Sequence, residues 1–97
     1  MKSEKIVQKE ILQYLKSIGC YSIKTVVCNR DGISDLIVCF EGRFIGIEVK
    51  SESKGISGLS ARQKLELRNL NDSGGFGFCS NSLEHTKSIF IEFLMLF

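Results

Sequence analysis

Asp35-Leu36-Ile37-Val38-Cys39-Phe40-Glu41-Gly42-Arg43-Phe44-Ile45-Gly46-Ile47-Glu48-Val49-Lys50 is the stretch that decides the fold. Two runs rich in β-branched and aromatic residues, 36–40 and 44–50, flank Glu41-Gly42-Arg43, a short polar break suited to a hairpin turn. Folding back at that turn carries the second strand past the first, which brings Glu48 near Asp35 at the open end of the hairpin. Side chains alternate faces along a strand, so Glu48 and Lys50 point one way and Val49 the other. One end of a sheet thereby gathers two acids and a base. That set suits metal-assisted cleavage of a phosphodiester, which needs a positioned water, neutralised phosphate oxygens and help for the departing oxygen.

Working outward, residues 3–18 read as a first helix, with Ile11, Leu15 and Ile18 at helical spacing and Gly19 ending it. Extending that apolar stripe backwards reaches Gln8 and then Glu4, placing both on the sheet-facing side of the first turn. Glu10 lies on the other margin of the same face and competes with Glu4. Tyr21–Cys28 reads as a first strand and 29–32 as the turn into the hairpin. Ser51–Gly58, with two glycines and three serines, is expected to be a mobile loop at the edge of the site. Ser60 opens a second helix, 71–75 stops it, Phe76–Ser80 makes a short strand, and Asn81–Phe97 a last helix with Asn81 and Glu84 at capping-box spacing.

These residues, in this order, resemble the PD-(D/E)XK nuclease superfamily and, within it, the small stand-alone VRR-NUC nucleases of phage and bacteria. The likeness runs from Glu4 and Gln8 on the first helix through Gly32-Ile33-Ser34-Asp35 and Ile47-Glu48-Val49-Lys50 to Leu59-Ser60-Ala61-Arg62-Gln63. Ser34 stands where the superfamily name has Pro. The resemblance implies an α/β fold with a restriction-endonuclease-like αβββαβ core, a mixed sheet flanked by helices, and here one added C-terminal helix. It implies a Mg²⁺-dependent DNA endonuclease, with Mn²⁺ able to substitute, acting on branched DNA such as Holliday junctions. Asp35, Glu48 and the backbone carbonyl of Val49 are then the expected metal ligands, with Glu4 as a further acid. Lys50 would orient the attacking water and offset charge in the transition state. Gln63 would support Lys50 or a phosphate. Nicking, flap-cleaving or restriction-type activity, and a non-catalytic DNA-binding module, are the alternatives.

Each of these residues has a structural role to weigh beside the chemical one. Ser60-Ala61-Arg62-Gln63 fits S-x-x-Q, so Gln63 also suits a capping box. Glu4 suits a helix first turn through the macrodipole alone. Glu48 sits among Ile45, Ile47 and Val49, where an idle charge would cost stability.

The chain of 97 residues, 43% apolar, forms one domain, 1–97. Four cysteines with no C-x-x-C pair, and His85 alone, offer no zinc set. Cys39 and Cys79 fall in apolar runs and read as reduced core thiols. Net charge is only +2, but Lys24, Arg30, Lys54, Arg62 and Lys64 cluster around the hairpin in sequence and are the candidate DNA contacts. No basic-then-apolar leader and no long apolar run occurs, so a cytoplasmic location, in a bacterial or phage-infected cell, is expected, with no membrane and no small-molecule cofactor. The run 89–97 holds eight apolar side chains and Glu92. One helix face cannot absorb them all, so a homodimer is expected through Phe90, Phe93, Leu94, Leu96 and Phe97.

Overall fold

The computed structural model describes residues 1–95. Helix α1 (Glu4–Ser17) leads to strands β1 (Tyr21–Lys24), β2 (Leu36–Phe40) and β3 (Arg43–Val49). A 3₁₀ turn (Gly55–Gly58), helix α2 (Ala61–Asp72), strand β4 (Phe76–Ser80) and helix α3 (Leu83–Ile89) follow, and α3 runs on into a π-helical turn, Phe90–Leu94. The sheet order is β1-β2-β3-β4. The first three strands are antiparallel and β4 lies parallel to β3, so the sheet is mixed. Leu36 pairs with Ile47, and one further step in that register sets Asp35 against Glu48.

Alternation along the hairpin sorts its side chains onto two faces. Leu36, Val38, Phe40, Ile45, Ile47 and Val49 pack on Val7, Ile11 and Leu15 of α1 and on Phe90 and Leu94. The other face of β3 and β4 receives α2, and glycine lets it come close. A Cβ at Gly46 would lie 2.6 Å from a Leu70 methyl and 2.8 Å from Ser34 Oγ. The helix that carries Gln63 is therefore seated directly against the strand that carries Glu48.

Several expectations need correction. Strand β1 stops at Lys24 because the chain leaves the sheet there, and Val26 and Val27 stand in solvent. The segment 51–58 carries a 3₁₀ turn, Gly55–Gly58, where a loop alone was expected, and it is anchored at Glu52, which exchanges hydrogen bonds with the backbone of Lys2 and whose carbonyl accepts from Asn81 Nδ2 at 3.1 Å. Ser82 caps α3, accepting from the His85 N–H at 3.1 Å, so the cap falls one residue beyond Asn81. Cys39 is exposed whereas Cys79 is buried. It lies on the part of the sheet that α2 leaves bare, with the exposed Tyr21, Ile23 and Phe44 as neighbours. Phe90 and Leu94 are fully buried in the chain's own core, so among the described residues the surplus expected to meet a partner shrinks to Ile91, Phe93 and Met95. Leu96 and Phe97 lie outside the described residues.

Candidate active site

The open end of the β2–β3 hairpin holds the two acids together. Asp35 is fixed from both sides: its Oδ2 accepts the Val49 N–H at 2.8 Å, and its carbonyl accepts the Thr25 N–H at 2.8 Å. Thr25 Oγ1 donates to the neighbouring Ser34 carbonyl at 2.8 Å, which holds the approach to Asp35 in place. The turn before it depends on Gly32, whose φ of +81° suits glycine and whose missing side chain makes room for Arg62. Glu48 is only 2% exposed. Burial pushes its carboxyl from the usual 4.5 up to about 8, a hydrogen bond with the Asp35 carboxyl and that group's charge add to the rise, and Lys50 pulls the other way.

Gln63 links this pair to Lys50. Its Nε2 donates to Glu48 Oε2 at 3.0 Å, while its Oε1 accepts from Lys50 Nζ at 3.1 Å and from the Ser60 N–H at 2.9 Å. Gln63 N–H in turn donates to Ser60 Oγ at 3.1 Å, which completes a capping box. Gln63 thus occupies both settings at once: the cap that starts α2 also aims its amide at Glu48 and Lys50. Lys50 Nζ is 3.9 Å from Glu48 Oε2, a looser contact than its bond to Gln63.

Glu4 and Glu10 separate cleanly. Glu4 lines a cleft of about 430 Å³ with Lys5, Gln8, Lys24 and Asp35, and its charge also bears on Glu48. Glu10 is held by Lys2 Nζ at 2.9 and 3.0 Å and does not line that cleft. Gln8 is buried beneath the cleft, at the sheet-facing position of α1.

The candidate DNA contacts divide. Lys24 lines the same cleft as Asp35. Arg30 and Arg62 both pair with the buried Glu66, at 3.1 Å each, and Arg62 Nε also donates to the Asp31 carbonyl at 3.2 Å. Their first role is therefore to clamp the 29–33 turn onto α2, with their remaining half-exposed donors available to a ligand. Lys64 and Lys54 are exposed, and the Lys54 stem packs beside Gly58 near Lys50. Lys5 and Glu66 are the residues that sequence reasoning missed. Lys5 lies three residues before Gln8, and Glu66 four after Arg62, so helical spacing could have found both.

Among the described residues, no group of three His, Cys, Asp or Glu side chains is placed to hold a metal ion. The protein's carboxylate supply is thus Asp35 and Glu48. This suits a hard cation that keeps most of its waters and needs only one or two carboxylates, and it does not suit zinc. Two neighbouring carboxyls, one of them buried, would form an unfavourable pair if both were ionised, and such a cation would relieve it. The residues present fit a Mg²⁺-type ion.

The architecture is a restriction-endonuclease-like α/β fold with its polar cluster at the open end of the central hairpin. A solved structure described as "VRR_NUC domain" shares it, with a TM-score of 0.81 and 22% identity over 96% of this chain and 99% of that one. The fold of the chain is that of the VRR_NUC domain. No family model matches the sequence, and no curated protein does. Among the described residues, no helix is long and apolar enough to cross a membrane.

Proposed function

We propose that this protein is a divalent-metal-dependent DNA endonuclease. The observation that carries the reading is the buried Glu48, set in register beside Asp35 and linked through Gln63 to Lys50. A buried Glu is costly where it has no task, and here its carboxyl lies between Asp35, which lines a solvent-reached cleft, and the Lys50 amine. Asp35, Glu48 and the Val49 carbonyl would hold Mg²⁺ or Mn²⁺, which supplies charge neutralisation at the phosphate and a more acidic water. Asp35 keeps its orientation because the Val49 N–H holds one of its oxygens. Lys50, steered by Gln63, offers its ammonium to the attacking water and to the charge that gathers on the phosphate oxygens. Glu4, across the cleft, accepts a hydrogen bond from a water approaching Asp35.

Branched DNA is the substrate class we favour, Holliday junctions first. Helices α1, α2 and α3 all pack against the sheet that carries the site, so the described residues present no separate recognition helix for reading base edges. The exposed tip of Val26 and Val27 lies beside the approach to Asp35, where apolar side chains can rest on an unstacked base at a branch point. A homodimer would present two sites to the symmetric arms of a junction, and the bare sheet face around Tyr21, Cys39 and Phe44 offers apolar area for it, as do Ile91 and Phe93. The test is cleavage of an immobile four-way junction, a flap and a linear duplex in parallel, with Mg²⁺, Mn²⁺ or EDTA. Cleavage with either metal and none with EDTA is expected, the junction being cut fastest. Binding without cleavage under every metal condition would show a non-catalytic DNA-binding module instead.

A further inference from the structure

Three cavities that share lining residues follow one another between α1 and the edge strand β1, the last at the candidate site, and together they outline a trough. Its far segment is lined by Leu12, Lys16 and Ser22. The middle segment, of about 520 Å³, shares Leu12 and Lys16 with it and adds Lys5, Ile6, Lys9 and Lys24. The near segment shares Lys5 and Lys24 with the middle one and reaches Glu4 and Asp35. The middle segment is lined by four lysines and by no acid. From Lys5 to Lys16 the helix covers about 16 Å, at roughly 1.5 Å per residue.

We propose that this trough binds an unpaired DNA strand leading to the Asp35 end of the hairpin, with phosphates on Lys5, Lys9, Lys16 and Lys24 and bases on the floor of Ile6 and Leu12. The inference rests on the nuclease reading, and it adds a strand path on the side of the sheet away from α2. Cavities of roughly 300–1,000 Å³ take groups the size of a nucleotide rather than a whole duplex. An apolar floor between cations matches a single strand, whose bases present faces to stack while its backbone follows the positive rim. In a duplex those faces are hidden, and the middle segment is too small to admit the double helix. The trough therefore serves a strand that is unpaired, or that opens at a branch point, beside the scissile phosphate.

The test is binding, by fluorescence anisotropy in EDTA, to a duplex bearing a single-stranded tail and to the same duplex blunt. The Lys9→Gln, Lys16→Gln protein should bind the tailed substrate about tenfold more weakly and the blunt duplex as the parent does. Two lost phosphate contacts on a single strand should also reduce the slope of log affinity against log salt by about 1.4. A charge-matched Arg68→Gln, Lys87→Gln protein should keep the tail preference. Equal losses on both substrates, or equal losses in the charge-matched protein, would overturn the proposal, since each would show general attraction to a polyanion. Failure of the nuclease reading looks different: tail binding would stay intact while Mg²⁺ produced no cleavage.

Discussion

Replacing Glu48 by Gln should make the metal-free protein more stable at neutral pH. The folded chain holds the Glu48 carboxyl at about 8, against 4.5 when it is unperturbed. Between those values the folded state keeps a proton that the unfolded state has released, so stability falls as pH rises through this window and levels off above it. At pH 7 the contribution is about 2.5 units at roughly 1.4 kcal/mol each, on the order of 3 kcal/mol against folding. Glutamine keeps the shape, can accept from Gln63 Nε2 through its oxygen, and can donate its amide to Asp35, so it removes the penalty without opening a cavity. For a domain of this size each kcal/mol moves the melting temperature by about 4–8 °C, and a gain of roughly 10 °C or more is expected at pH 7. Melting curves of parent and Glu48→Gln protein from pH 4 to pH 9 in EDTA measure it. The two should converge near pH 4 and part as pH rises. Saturating Mg²⁺ should recover much of the difference in the parent, since the ion binds only the folded site. A Glu48→Gln protein that melts below the parent at pH 7.5 would refute the reasoning.

Four further outcomes follow from the same geometry. Lys50→Ala should lower turnover by roughly a hundredfold, the scale of a preorganised electrostatic group, while calorimetry shows Mg²⁺ affinity kept; collapse of that affinity would make Lys50 a structural partner of Glu48. Ser60→Ala should cost about 1 kcal/mol of stability with activity within a fewfold of the parent, whereas Gln63→Ala should lose the cap and also tenfold or more in turnover, as it frees Lys50. Glu4→Gln should slow cleavage and Glu10→Gln should not, because only Glu4 lines the Asp35 cleft. Sedimentation of the parent against a Tyr21→Asp, Phe44→Asp protein should show dimer giving way to monomer, and a parent that stays monomeric at micromolar concentration would remove the dimer from the account.

Much of the site was legible because it is local to one hairpin. The register that faces Asp35 with Glu48 follows from two short strands and a tight turn, and the Ser60–Gln63 box follows from a spacing of three. What the sequence concealed depends on contacts distant along the chain. Arg30 and Arg62 read as free cations until the fold brings both to Glu66. The run 89–97 looked like surplus because nothing in its own pattern shows that Phe90 and Leu94 drop into the space between α1 and the sheet. Cys39 looked like core because its strand is apolar throughout, and only the reach of α2, which stops at β3 and β4, leaves it in solvent. The trough beside α1 belongs to two elements at once, so neither helix nor strand announces it.

The measurement that bears most directly on the central claim is single-turnover cleavage of a labelled four-way junction by the parent and by the Asp35→Asn protein, with Mg²⁺ and with EDTA, and with binding followed in the same samples. The account predicts cleavage by the parent in Mg²⁺ alone, and a loss of a hundredfold or more in Asp35→Asn, with binding equal or tighter because an anion facing the phosphates has gone. Cleavage by Asp35→Asn within tenfold of the parent, or by the parent at full rate in EDTA, would contradict it.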